Sequence, residues 1–79
     1  MYVVRRLVES YAMQRVTTRQ SPRDMARARS IAEQMQADTA ARDVDSFRRD
    51  NREFHFFFYE RCGLPSLSEQ IAGMWHAFP

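Results

Sequence analysis

In DVDSFRRDNREFHFFFYERCGLPSL, residues 43–67, the apolar positions Val44, Phe47, Phe54, Phe58 and Cys62 recur at intervals of three, four and seven residues. At about 100° per residue these side chains fall on one face of a helix, where a strand would alternate every second residue. Asp43 can cap the start of that helix, and Gly63 suits the residue that follows its end. The stretch therefore predicts a helix from Asp43 to Cys62. It also raises a question, because Asn51 and His55 fall within the same apolar arc.

Working outward, the same spacing predicts three more helices. Upstream, Met25, Ala28, Ile31, Ala32 and Met35 form the stripe of a helix that fades near Ala40. Ser21 is its N-cap, with Pro22 at the first helical position and Asp24 in the first turn, where a carboxylate suits the helix dipole. Before it, Val4, Leu7, Val8, Tyr11 and Ala12 predict a buried stripe on a helix from Tyr2 to Thr17. Downstream, Ser66 and Glu69 match a capping box, and Leu67, Ile71, Met74, Trp75 and Phe78 line one side of a fourth helix. Breaks are expected near Gln20–Ser21, Arg42–Asp43 and Gly63–Ser66. Short connections predict neighbours that run antiparallel. The fold class is all-α, a bundle of about four helices.

With 79 residues there is room for one small domain. All 12 basic residues are arginine, interleaved with 10 acidic ones for a net charge of +2. That pattern is a solvated, salt-bridged surface and not the basic patch of a nucleic-acid binder. The single cysteine, Cys62, excludes an intrachain disulfide framework and predicts a small buried hydrophobe near a helix end. No apolar run spans a membrane and no secretory segment opens the chain, so the expected location is cytoplasmic. Nothing resembles a nucleophile with its base or a glycine-rich phosphate loop, so an enzyme is not expected.

Asn51 and His55 stand four residues apart, one above the other on the helix. Buried without partners they would cost about 1–3 kcal/mol each. Either backbone carbonyls, water or another helix satisfies them, or they are two ligands of a metal ion. His76, beyond the apolar pair Met74–Trp75, reads as a surface residue.

The order VVRRLVE, a capped second helix, then DVDSFRRDNREFHFFFYERCGLPSL resembles the FCD ligand-binding domain of FadR-type GntR transcription regulators. The matching residues are Arg5 with Glu9 four residues on; Asn51, Phe54 and His55; and Gly63-Leu64-Pro65 with Leu67 behind. The resemblance implies an antiparallel helical bundle whose divalent metal, of zinc, nickel or manganese type, is held by an Asp or Asn, the His four residues on, and two later histidines. Asn51 and His55 would be the first two ligands, and Arg5 would face the carboxylate of a small metabolite. Asn51 stands where Asp is commoner, which weakens the attraction for a hard cation. The family's later helices and its N-terminal DNA-binding winged helix are not in this sequence. The expectation is thus a partial FCD-like domain over 1–79, with its metal weak or missing within one chain and no direct contact to nucleic acid.

The function implied is effector binding and dimerisation in a regulator. The alternative is a helical interaction module whose ancestral pocket is dead, with Phe56 on a wet face as a candidate contact. A homodimer or domain-swapped oligomer is expected, its apolar interface centred on Trp75 or Phe56.

Overall fold

The computed structural model describes residues 2–77, and all regular structure among them is helical: α1 (Tyr2–Val16), α2 (Pro22–Ala40), α3 (Val44–Tyr59) and α4 (Pro65–Ala77). The interruptions at residues 17–21, 41–43 and 60–64 coincide with the three expected breaks. Phe78, the last member of the fourth stripe, lies outside the described residues.

Local chemistry sets these boundaries. At α2 the Ser21 hydroxyl accepts from the Asp24 amide at 3.0 Å while the Asp24 carboxylate accepts from the Ser21 amide at 3.2 Å, a reciprocal box. At α3 the Asp43 carboxylate accepts from the Ser46 amide at 3.1 Å and from its hydroxyl at 2.7 Å. Two boundaries differ from expectation. α4 begins at Pro65, whose missing N–H is harmless at a first helical position, so Ser66 lies inside the helix and the expected Ser66–Glu69 box does not start it. α3 stops at Tyr59, three residues before Cys62. The amides of Arg61 and Cys62 turn back to the carbonyls of Phe58 and Tyr59 in tight three-residue steps, and Gly63 at φ +82° reverses the chain.

The chain forms two compact units, one made of the segments up to Arg19 and from Phe58 onward, the other of Gln20–Phe57. In the first unit α1 and α4 run antiparallel. Glu9, midway along α1, accepts from Trp75 near the end of α4, while Arg15, near the end of α1, donates from Nε to the Cys62 carbonyl just before α4 at 2.8 Å. Ala12, Val16, Cys62 and Ile71 are wholly enclosed, and Tyr59 is buried. The buried Cys62 agrees with the sequence reading.

The face that α1 buries overlaps the expected one only in Ala12, wholly enclosed, and Val8, half-buried. Val4, Leu7 and Tyr11 are 52%, 67% and 49% exposed. The helix instead turns inward the side bearing Arg5, Glu9, Ala12 and Val16. The small Ala12 allows close approach, and the two charged residues pair with each other. Apolar spacing identified a real stripe here, but the neighbouring elements supply polar partners for the other side.

In the second unit α2 and α3 are antiparallel: Arg27 pairs with Glu53 at 2.8 Å, and Asp38, further along α2, pairs with Asp50, further back on α3. Ala28, Ile31 and Phe57 are buried, with Ala32, Met35 and Phe54 half-buried. Met25, expected in the stripe, is 49% exposed, and Val44 and Phe47 also face outward. The buried side of α3 is displaced toward Asp50, Phe54 and Phe57. Asn51 and His55 are consequently half-buried at the margin of the apolar face and not at its centre.

Candidate functional site

Asn51 and His55 occupy successive turns of α3, as their spacing requires. The His55 ring nitrogen Nδ1 lies 2.8 Å from the backbone carbonyl of Asn51. A carbonyl can only accept, so Nδ1 carries the hydrogen, and in the neutral ring the lone pair belongs to Nε2. This is one of the two ways proposed from sequence for satisfying a polar side chain here, a backbone carbonyl. It is also the arrangement that orients an imidazole for metal binding, since a ligating histidine commonly donates its other N–H to a carbonyl or carboxylate. The Phe54 ring meets His55 edge-on with centroids 5.9 Å apart.

A divalent ion of the zinc class would find in this pair one imidazole nitrogen and one amide oxygen, two donors of the four such a site uses. Among the described residues no three His, Cys, Asp or Glu side chains are grouped so that they could hold an ion. The pair fits half a metal site. His76 is exposed in the other unit, as expected of a surface residue.

Arg5 belongs to a tight cluster in the first unit. Its Nε donates to Glu9 Oε2 at 2.6 Å, and its guanidinium carbon lies 4.2 Å from the centroid of the Trp75 ring. Glu9 is the hub: Tyr59 donates its hydroxyl to Oε1 at 2.8 Å, and Trp75 Nε1 donates to Oε2 at 2.8 Å. Burial alone would raise the Glu9 pKa, but the bonds from Arg5, Tyr59 and Trp75 outweigh it and hold the carboxyl below its ordinary range. The same burial, with the Glu9 carboxylate alongside, pushes the Tyr59 phenol well above the usual tyrosine range. Trp75 is therefore an internal partner. Phe56, the other expected interface residue, is half-buried with the Arg52 guanidinium 4.9 Å from its ring centroid.

Spacing arguments passed over a second feature, the carboxyl pair Asp38–Asp50. Both residues are buried, at 5% and 6% exposure, and Oδ2 of each has no donor among the described groups. The two carboxyls face each other across α2 and α3, and the bond between them, with burial second, raises the Asp38 pKa. A proton shared between the two carboxyls would satisfy both oxygens. Gln34 Nε2 donates to Asp38 Oδ1 at 3.2 Å, and Arg49 Nε lies 3.6 Å from Asp50 Oδ1. A signal for the pair was available: Asp38 extends the series Ala28, Ile31, Met35, and Asp50 precedes Phe54 and Phe57 at helical spacing.

No helix among the described residues is long and apolar enough to cross a membrane. Comparison with curated proteins and with solved structures finds no match. The family model of the FCD domain, in contrast, matches residues 1–79. With an all-helical fold, the Arg5–Glu9 pair and the Asn51–His55 pair in place, the chain belongs to the FCD family, the effector-binding domains of GntR-type transcription regulators.

Proposed function

We propose that the chain senses a small carboxylate metabolite for a regulator of the FadR type, acting by binding and not by catalysis. A divalent ion held in part by Asn51 and His55 would anchor the effector. What supports this reading is the His55 Nδ1–Asn51 carbonyl bond at 2.8 Å, the orientation in which ligating histidines are commonly held. A cytoplasmic location goes with this reading.

Thermal shift of the full chain with a panel of mono-, di- and tricarboxylates tests it, each run with zinc and with EDTA. At least one acid should raise the midpoint in zinc and not in EDTA, and His55→Ala should abolish the effect. A panel with no zinc-dependent shift would sink the sensing reading.

A second reading, self-association without a working pocket, is favoured by one observation. Tyr2, Val3, Val4, Leu7 and Tyr11 form a run of side chains 49–72% exposed on α1. A second copy of the chain is the partner that this reading names, met through α1 and not through Trp75 or Phe56.

A further inference from the structure

We propose that Asp38 and Asp50 hold a hydrated divalent cation of the magnesium class between α2 and α3, at a site separate from the Asn51–His55 pair. The two residues are 5% and 6% exposed, and Oδ2 of each lies out of solvent with no donor among the described groups. Gln34 Nε2 donates to Asp38 Oδ1 at 3.2 Å, and Arg49 Nε stands 3.6 Å from Asp50 Oδ1. Both neighbours thus engage the Oδ1 atoms and leave the two Oδ2 atoms to an ion. Carboxylates facing each other without water repel, and buried charges are found paired or bound to metal. A cation between them answers both needs.

The surroundings of the pair select the kind of ion. No group of three His, Cys, Asp or Glu that could hold a metal forms among the described residues, so a protein cage of the zinc or calcium type does not fit. Magnesium keeps several of its waters and is bound through one or two carboxylates. Those waters have a place. Beside Asp50 opens a cavity of about 160 Å³, lined also by Arg27, Ser30, Ile31, Gln34 and Glu53. At about 30 Å³ per water it takes about five, enough for the roughly four that two carboxylate oxygens leave to an octahedral ion. Arg27, a cation in that lining, is already paired with Glu53 at 2.8 Å, and the Arg49 side chain is 70% exposed. Arg42 and Asp43, of opposite charge, line a second cavity with Asp38.

Thermal unfolding of the full chain, stripped with EDTA and then titrated with magnesium at constant ionic strength, tests the inference. The midpoint should climb with each tenfold rise in magnesium, as for any ligand of the folded state. Sodium at the same ionic strength should not reproduce the climb. Manganese shares the preference for oxygen octahedra, so its paramagnetic resonance should count one bound ion per chain, displaced by magnesium. Asp38→Asn and Asp50→Asn should each flatten the magnesium response. Asp45→Asn, at an exposed position on α3, and His55→Ala should keep it. Circular dichroism of each variant checks its helicity, and the manganese count on the parent chain needs no variant. A parent midpoint indifferent to magnesium, or no bound manganese, overturns the inference and leaves the pair to a shared proton. A response that survives Asp38→Asn places the ion elsewhere and overturns it as well. One that vanishes in His55→Ala assigns the ion to the Asn51–His55 pair, with the same consequence.

Discussion

Gly63 sits at φ +82°, and a Cβ built there would lie 2.5 Å from the guanidinium carbon of Arg19. The sequence placed this residue just past α3; the helix ends earlier, at Tyr59, and Gly63 makes the reversal through a left-handed backbone that any side chain resists. Gly63→Ala should destabilise the chain by about 1–2 kcal/mol, read as a lower urea midpoint at unchanged slope. Part of the strain is relieved if Arg19 swings away, so Gly63→Ala/Arg19→Ala should cost less than Gly63→Ala measured against Arg19→Ala alone. Glu9 was legible only as half of an Arg-x-x-x-Glu pair. Its role as acceptor for Tyr59 and Trp75 depends on residues 50 and 66 positions away, which no local pattern reveals. Glu9→Ala leaves a phenol and an indole N–H without their acceptor and should cost about 1–3 kcal/mol for each group left unsatisfied. Because the folded Glu9 pKa is held below the 4.5 of a free side chain, its contribution is present above that value and lost as pH falls through the lower, folded one. Trp75 fluorescence should report that loss in acid. Glu9→Gln should remove the transition.

At the scale of the element, helix limits were readable because caps are local: Ser21 with Asp24 and Asp43 with Ser46 act within four residues. Which face each helix buries was less readable, because it depends on what the neighbour offers. α1 turns Glu9 inward toward two donors from other segments, Tyr59 and Trp75, and α3 turns Asp50 inward toward Asp38. The sequence also located Asn51 and His55 on successive turns, but their position at the margin follows from that rotation of α3. Asp38→Asn tests the carboxyl pair. Its amide can donate to the Asp50 carboxylate without a shared proton and can keep an oxygen for Gln34. The folded Asp38 pKa is raised above the 3.8 of a free side chain, so its contribution is present below that value and lost as pH rises through the raised one. Asp38→Asn should therefore raise the thermal midpoint at pH 7 more than at pH 4. Equal shifts at both values would mean the proton is not what joins α2 to α3.

For the whole molecule, the balance between enclosed and exposed apolar surface decides how the chain behaves in solution. Ile71 of α4 is wholly enclosed, and Trp75 is engaged with Arg5 and Glu9. The wet surface has moved to α1, where Tyr2, Val3, Val4, Leu7 and Tyr11 stand exposed. Fully burying a side chain of this kind is worth about 1.5–3 kcal/mol, and the net stability of a domain is only about 5–15 kcal/mol. Covering several of them would therefore shift the folding equilibrium measurably. If copies associate through α1, association stabilises the fold by mass action, and the thermal midpoint must rise with protein concentration. Leu7 is the most exposed of the central residues and contributes little to the fold of its own chain, so Leu7→Glu isolates the effect. The parent chain should gain stability with concentration, while Leu7→Glu should show a flat midpoint close to the parent's dilute value. A parent midpoint already flat from micromolar to millimolar protein would place α1 in water as a tolerated apolar surface. A lower midpoint for Leu7→Glu even at high dilution would mean that Leu7 supports the fold of its own chain after all.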